Sequence, residues 1–200
     1  MQRDLDIVAV DALDPFGNGH VLPRGILREP LCALKRAQVI VITRTDRNPG
    51  GIAGLSRRLK DIAPSAAIVG SIHQPLSLTG VYDHQTIALD ALRGKKVAAF
   101  CAIADPDTFG YTLAQSGAEV ARRFDLMDHH AYAAADLEGI RDFCCANSVD
   151  TVVTTHKDAV KIGAFGGIWG NIRVLRLNIG LTITYGNEQF IQRILSARFA

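Results

Sequence analysis

Three short apolar runs, each followed by polar residues, constrain the fold of this chain more than any other feature. Ile7–Val10, Val39–Ile42 and Ala66–Val69 have the length and apolar content of buried strands. Between the second and third runs, residues 52–62 repeat apolar side chains at helical spacing, and a proline follows. Strand, helix and strand in this order form the unit of a parallel sheet. The sequence therefore predicts an α/β fold.

A second α/β segment is predicted further along the chain. Val97–Phe100 and Thr151–Val153 have the composition of strands, with helices expected over 107–116 and 136–146 and a short strand over 119–122. Together these elements predict a second, smaller α/β/α domain.

Strict alternation of apolar and polar residues over Arg173–Tyr185 predicts a half-exposed antiparallel strand. Its expected partner is the alternating piece around Leu76 and Leu78, so that both form a two-stranded arm joining the domains. We expect the remainder of a nucleotide and substrate domain at 1–72, and the connecting arm at 73–94 and 172–186. A C-terminal α/β domain is expected at 95–171 and a final helix at 187–200.

Composition excludes several classes of protein. Hydrophobic residues make up 48% of the chain, which is ample for a packed core. The 22 basic and 20 acidic residues leave a net charge of +2, which argues against a nucleic-acid binder. No apolar run approaches the roughly 20 residues that cross a bilayer. We therefore expect a soluble chain without a transmembrane segment.

The long segment Asp11–Pro30 is rich in glycine, proline and charge and follows a predicted strand directly. The carboxyl edge of an α/β sheet is where ligands bind, and long ordered loops there often carry function. Gly17 and Gly19 permit positive φ, which can turn backbone N–H groups toward an anion. Arg28 and Glu29 add a phosphate ligand and a carboxylate for a metal or a sugar hydroxyl. The alternative is a surface loop with a chance turn.

Two further clusters follow predicted strands. Asp128, His129 and His130 place two imidazoles side by side, and a neutral imidazole is a common proton carrier. The alternative is a capping aspartate with two solvated histidines. Thr154–Asp158 contains a lysine able to hold a phosphate, although helix capping by Thr155 or Asp158 explains this segment equally well.

Several catalytic motifs are absent from the sequence. There is no Gly-x-x-x-x-Gly-Lys-Ser/Thr, and Gly94-Lys95-Lys96 comes nearest to it. There is also no Gly-x-Ser-x-Gly and no His-Glu-x-x-His. These 200 residues contain no P-loop.

The clusters and their order resemble the tetraacyldisaccharide 4'-kinase (lipid A 4'-kinase) family across nearly the whole chain. Three matching segments lie in the first part of the chain: Arg-Asp-Leu-Asp-Ile at Arg3–Ile7, Gly-Asn-Gly through Leu-Arg-Glu-Pro at Gly17–Pro30, and Thr-Arg at Thr43–Arg44. Two more follow: Asp-His at Asp128–His129 and Thr-Glu-Lys-Asp-Ala-Val-Lys at Thr155–Lys161. His156 replaces the glutamate of the last segment, which leaves the role of this position open.

The resemblance implies ATP-dependent, magnesium-assisted phosphorylation of the 4'-hydroxyl of a tetraacylated glucosamine disaccharide. This reaction belongs to lipid A and lipopolysaccharide biosynthesis, at the cytoplasmic face of the bacterial inner membrane. The fold it implies is part of a P-loop-kinase-like parallel sheet. The partners are the lipid A disaccharide precursor and the membrane surface, the latter through an N-terminal segment of the family that this sequence lacks.

Site residues follow from the same resemblance. His129, Glu29 and Arg28 match catalytic positions, with Glu29 also a candidate magnesium ligand. The substrate-binding candidates are Asn18, Gly19, Asp11 and His130. The P-loop and the magnesium and base carboxylates of the family would lie upstream of Met1. We therefore expect ATP and Mg²⁺ to lack their main ligands here, and an incomplete chain that is inactive alone.

Two alternatives remain open from the sequence. One is a non-catalytic module that binds the lipid disaccharide. The other is a metal-dependent phosphoesterase that uses Asp128, His129 and His130. For the kinase, we expect the groups of residues 11–30 and 128–130 to face one crevice.

Overall fold

The computed structural model describes residues 4–197, which form two compact units. Unit 1 consists of the chain up to His73 together with the chain from Leu181 onward, and unit 2 is Gln74–Gly180. Arg3, the first residue of the first matching motif, and Phe199, in the predicted last helix, lie outside the described residues. Within the described part, no helix is both long and apolar enough to cross a membrane.

Unit 1 is built on parallel strands. Its elements are β1 (Ile7–Asp11), β2 (Val39–Thr43), α1 (Ile52–Ile62), the first half of β3 (Ala67–Gly80), the end of β8 (Arg173–Tyr185) and α5 (Asn187–Ala197), with 3-10 turns at Leu31–Arg36 and Thr45–Arg47. The strand order is β1, β2, β3, β8. The first three strands are parallel, with Val10 opposite Ile42 and Ile42 opposite Gly70.

Both faces of this sheet are covered, which explains why its strands are apolar on both sides. On one face, Ile40 and Ile42 pack with Leu59 of α1 and with Phe16 of the long loop. On the other face, the neighbouring residues of β2 and β3 pack against Phe190 of α5. The loop that follows β1 is therefore anchored in the core through Phe16.

Unit 2 is built mainly on parallel strands and has two cores. Its elements are the second half of β3, β4 (Thr86–Ile87), β5 (Lys96–Cys101), α2 (Pro106–Gln115), β6 (Glu119–Asp125), α3 (Ala134–Ala146), β7 (Thr151–Thr155), α4 (His156–Lys161) and the first part of β8, with 3-10 turns at Leu89–Leu92 and Gly163–Ile168. The strand order is β3, β8, β7, β5, β6, and β4 pairs with β3. The pairs β6–β5, β5–β7 and β7–β8 are parallel.

The helices of unit 2 lie on opposite faces of its sheet. Leu113 of α2 packs with Leu92 and Leu177 in one core. Leu137 of α3 packs with Phe100 and Trp169 in the other. The predicted α/β fold with a mostly parallel sheet is confirmed.

The last strand pairs with the segment around Leu76 as predicted, but it has a second neighbour that the sequence did not indicate. The alternation correctly indicated a strand over Arg173–Tyr185, but β8 is parallel to β7, with Val153 opposite Leu175. On its other side Asn178 donates to Thr79 and Gly180 lies against Leu76, so β8 runs antiparallel to β3. Because β8 joins both kinds of pairing, the sheet is mixed rather than ending in a purely antiparallel arm.

β3 is also longer than the sequence indicated, since it runs without a break from Ala67 to Gly80. Pro75 lies after the last pair with β2, at Gly70, and before the first pair with β4, at Leu78. Between these points one side of β3 has no strand neighbour among the described residues. A strand tolerates proline where no ladder hydrogen bond is required.

Candidate functional site

Asp11, at the carboxyl end of β1, is held by the end of the next strand. Arg44 follows β2 with a left-handed backbone (φ 58°) and forms an ion pair with the Asp11 carboxylate, to which its Nε donates at 3.0 Å. The N–H of Leu13 donates to the same carboxylate at 3.0 Å. Asp11 therefore fixes the start of the long loop.

Asn18 braces the loop from inside. Its Nδ2 donates to the carbonyl of Arg24 at 2.8 Å, and its Oδ1 accepts from the N–H of His20 at 3.2 Å. A Cβ at Gly25 would lie 2.0 Å from this Oδ1, so only glycine fits there. Asn18 was predicted to bind substrate, and its amide is used within the loop in this structure.

The glycines on either side of Asn18 have positive φ, 54° at Gly17 and 75° at Gly19, as the sequence indicated. Their N–H groups donate to acceptors within the loop. The first donates to the Asp14 carboxylate at 2.8 Å, and the second donates to the carbonyl of Phe16 at 2.9 Å. Both N–H groups are therefore used within a closed turn, and the backbone anion site stays a prediction.

Arg28 and Glu29 border a groove of about 410 Å³ that runs along β1. Its apolar lining includes Phe16 and Leu31. Glu29 is exposed, and its carboxylate forms an ion pair with Arg36. Arg28 is exposed, and within residues 4–197 no hydrogen bond or ion pair engages its guanidinium.

The Asp128 cluster, in unit 2, follows β6 and precedes α3, as predicted. His129 has a left-handed backbone (φ 61°), and its N–H donates to Asp128 Oδ1 at 3.0 Å. Its imidazole is 88% exposed, with Nε2 3.7 Å from Asp128 Oδ2. This ring is accessible to a ligand.

His130 points in the other direction and is held by the fold. Its Nε2 lies 2.8 Å from Asp136 Oδ2, and its ring meets Tyr132 edge to face at 5.4 Å. The backbone N–H of Ala133 also donates to Asp136, and these two contacts, the N–H first, lower the pKa of that carboxyl. Since a carboxylate only accepts, His130 Nε2 is the donor.

Asp158 is fully buried and joins three elements of unit 2. Its Oδ2 accepts from Thr155 Oγ1 at 2.7 Å and from the N–H of Ala102, after β5, at 3.1 Å. Lys161 Nζ lies 3.3 Å from its Oδ1. Thr155 is the N-cap of α4 and accepts from the N–H of Asp158. Thr155 therefore caps α4, as the sequence indicated, and Asp158 forms an internal ion pair, while phosphate binding by Lys157 stays a prediction.

Tyr132 and Cys101 lie beside this carboxylate in a low-dielectric environment. Burial, together with nearby carboxylates that include Asp158, raises the pKa of the Tyr132 phenol well above its usual range. Burial likewise raises the pKa of the Cys101 thiol to about 12. Burial therefore favours the neutral form of both groups near pH 7.

His156, which stands where the family segment has glutamate, contacts Arg176 of β8. The distance from Arg176 Nη1 to His156 Nε2 is 3.4 Å. Arginine only donates, so this contact requires an unprotonated Nε2. In this structure His156 therefore contacts Arg176 through Nε2.

The described residues do not assemble a metal site. Among residues 4–197 no group of three or more histidine, cysteine or acidic side chains is placed to hold a metal ion. Glu29 would have to leave Arg36 to become a magnesium ligand, which stays a prediction. The same holds for a shared crevice with His129.

Sequence reasoning missed the partners of these residues. Arg36 and Arg44 were not singled out as partners of Glu29 and Asp11, and Tyr132 was not noticed. One contact had a signal in the sequence: the spacing of three residues between Asp158 and Lys161 places both side chains on one face of a helix, where they can pair.

Comparisons place these features in a family. A family model described as LpxK: Tetraacyldisaccharide-1-P 4'-kinase matches residues 1–198. A tetraacyldisaccharide 4'-kinase from Anaeromyxobacter dehalogenans (strain 2CP-C) is 40% identical over 183 residues, covering 90% of this chain and 48% of that protein. One from Halothermothrix orenii is 35% identical, covering 96% and 54%.

A crystal structure described as an apo form of LpxK from Aquifex aeolicus in complex with ATP superposes with a TM-score of 0.66. It is 23% identical and covers 98% of this chain and 53% of that one. The fold is thus an α/β fold of the kind found in that kinase. The chain belongs to the LpxK family of tetraacyldisaccharide-1-P 4'-kinases, which confirms the resemblance. It spans about half the length of the relatives it matches.

Proposed function

We propose that this chain is part of a kinase that transfers the ATP γ-phosphate to the 4'-hydroxyl of a tetraacylated glucosamine disaccharide. The supporting observation is the 40% identity to a tetraacyldisaccharide 4'-kinase over 90% of the chain. The site of action is the cytoplasmic face of the inner membrane. The 200 residues alone do not catalyse transfer, because they contain no P-loop to hold the phosphates.

His129 is the catalytic candidate that the geometry supports best. Its ring is largely exposed, and a carboxylate lies 3.7 Å from its Nε2. An accessible imidazole can accept and release a proton near neutral pH. In this proposal it assists a catalytic carboxylate supplied by the other half of the kinase.

Arg28 is the proposed phosphate-binding group. It is exposed at the edge of the groove, where its guanidinium can bind phosphate oxygens with two parallel hydrogen bonds. Glu29 remains a catalytic candidate once its ion pair with Arg36 opens. Asp11, Asn18 and Gly19 act by shaping the loop, and His130 fixes the segment that carries His129.

A chimera tests the proposal. The upstream half of the Anaeromyxobacter dehalogenans relative is fused to this chain, and ATP-dependent 4'-phosphorylation is measured with a tetraacylated disaccharide. We expect turnover by the chimera and none above blank by the 200-residue chain. In the chimera, His129→Ala lowers kcat more than it raises KM.

Two results contradict this proposal. Turnover by the isolated chain refutes the statement that it is inactive alone. A chimera that is folded but inactive, with calorimetry showing disaccharide binding to the chain, favours a non-catalytic binding module. His84→Ala is the matched control for His129→Ala in the chimera, because it also removes a histidine with a left-handed backbone from unit 2.

A further inference from the structure

The outer part of the long loop in unit 1, residues 20–28, is called the loop tip here. Its backbone is ordered by hydrogen bonds. The N–H of Leu22 donates to the carbonyl of Leu27 at 2.9 Å, and the N–H of Leu27 donates to the carbonyl of His20 at 3.2 Å. Asn18 closes the tip through the carbonyl of Arg24. The tip is therefore an ordered part of the loop.

This ordered segment presents its apolar side chains to the outside. Leu22 and Ile26 are each 62% exposed, and Val21 is 39% exposed. Phe16, a few residues earlier in the same loop, is only 6% exposed and anchors the base. An ordered segment that leaves neighbouring large apolar residues uncovered marks a surface for interaction.

The charges of the loop tip are all of one sign. Residues 20–28 contain Arg24 and Arg28 and no carboxylate. The next acid along the chain, Glu29, is neutralised by Arg36. Apolar side chains interleaved with exposed arginines are the composition of segments that lie in the headgroup region of a membrane.

We propose that the loop tip docks on the surface of an anionic lipid bilayer. Val21, Leu22 and Ile26 enter the boundary between headgroups and acyl chains, and Arg24 binds lipid phosphate. The bilayer is favoured over a protein partner because the charged side chains of the tip are arginines, which are complementary to lipid phosphate. This inference rests on the proposed function, whose acceptor is a lipid, and it names the part of this chain that meets the lipid phase.

A tryptophan probe tests the docking directly. The only natural tryptophan, Trp169, is 2% exposed and so reports little of a surface event. Leu22→Trp places an indole at the tip. With vesicles of phosphatidylcholine mixed with phosphatidylglycerol, we expect a blue shift of its fluorescence and quenching by brominated acyl chains. Leu181→Trp is the matched control, since Leu181 is a 54% exposed leucine of the same unit.

Charge reversal provides the second arm. Arg24→Glu keeps the backbone carbonyl that Asn18 binds, and we expect it to weaken co-sedimentation with the anionic vesicles by about tenfold or more. Salt should weaken the binding of the natural chain as well. Vesicles of phosphatidylcholine alone should bind little. Circular dichroism and thermal melting establish that each variant is folded.

Three results overturn the inference. One is an equal response of the Leu22 and Leu181 probes, and another is binding indifferent to lipid charge and to Arg24→Glu. The third is a self-associated chain that Leu22→Asp makes monomeric while vesicles do not bind, which assigns the tip to a second copy. None of these measurements involves ATP, so the kinase proposal can fail while the docking stands, and the reverse.

Discussion

At the scale of single residues, unit 2 depends on one buried carboxylate. Asp158 accepts hydrogen bonds from Thr155 and Ala102 and pairs with Lys161. A buried carboxylate is stable only when its oxygens are satisfied, and these three donors provide that. Removing it would leave a buried N–H, a hydroxyl and an ammonium group without their acceptor.

We therefore expect Asp158→Ala to lower the free energy of unfolding by about 3 to 5 kcal/mol, measured by urea denaturation. Asp158→Asn keeps an acceptor oxygen and should cost less. Asp142→Ala is the control. Asp142 pairs with Arg141 at the surface, so its loss should change stability by less than about 0.5 kcal/mol. Equal effects of the Asp158 and Asp142 variants would contradict this account.

A second residue gives a pH prediction. The pKa of Asp136 is lowered in the fold from an ordinary value of 3.8, by the N–H of Ala133 first and by His130 next. A lowered folded pKa contributes stability above pH 3.8, and this stability is lost as the pH falls through the folded value. The stability advantage of the natural chain over Asp136→Asn should therefore shrink on acidification below that pH. A constant difference in urea midpoints would count against it.

At the scale of elements, the long loop after β1 is an irregular segment that specific contacts hold in place. Its base is fixed by Asp11 and Phe16, and its interior is fixed by the amide of Asn18. Gly25 has no room for a side chain because the Asn18 amide and the His20 carbonyl occupy that space. The loop is therefore held by contacts with neighbouring residues of its own sequence.

Gly25→Ala should release this loop without unfolding unit 1. We expect trypsin to cut after Arg24 about tenfold faster, as when local opening becomes about 1.4 kcal/mol easier. Gly50→Ala is the matched control, since a Cβ there meets no atom within 4 Å. An unchanged cleavage rate in Gly25→Ala would contradict this expectation, because it would show that the loop tip accommodates a Cβ without a change in the free energy of local opening.

The sequence predicted elements whose signals are local. α1 has its predicted bounds of 52–62, and Asp105 with Pro106 correctly indicated the start of α2, where Asp105 accepts from the N–H of Thr108. The length of β3 was not predictable, because Pro75 indicates a break unless one knows that the strand is unpaired on one side there.

Contacts within the site were even less predictable. Glu29 with Arg36 and Asp11 with Arg44 join residues across turns and strands whose pairing the sequence does not state. Residue types alone indicated a metal ligand and a phosphate ligand. Partner choice depends on the three-dimensional path of the loop, and composition does not encode that path.

At the scale of the whole molecule, the two units differ in how the chain builds them. Unit 2 is one continuous stretch with its own cores, whereas unit 1 combines an early segment with a late one. Phe190 of α5 covers Val39, Val41 and Val69. Unit 1 therefore needs residues beyond 181 to complete one face of its sheet.

A fragment of residues 74–180 should accordingly fold alone, with dispersed amide resonances and a cooperative thermal transition. A fragment of residues 1–73 should not, because one face of its sheet is uncovered. Joining residues 181–200 to it through a flexible linker should restore cooperative unfolding. A folded 1–73 fragment without that addition would contradict the layering described for unit 1.

The late position of α5 has a consequence for biosynthesis. On the ribosome, the first strands of unit 1 leave the exit tunnel before α5. Their valines stay exposed until α5, which packs on them, is translated more than a hundred residues later. Unit 2 can form in the meantime. The nascent protein is thus a client for chaperones during this interval, and slowed translation of the last segment would lower its yield before any property of the finished fold is involved.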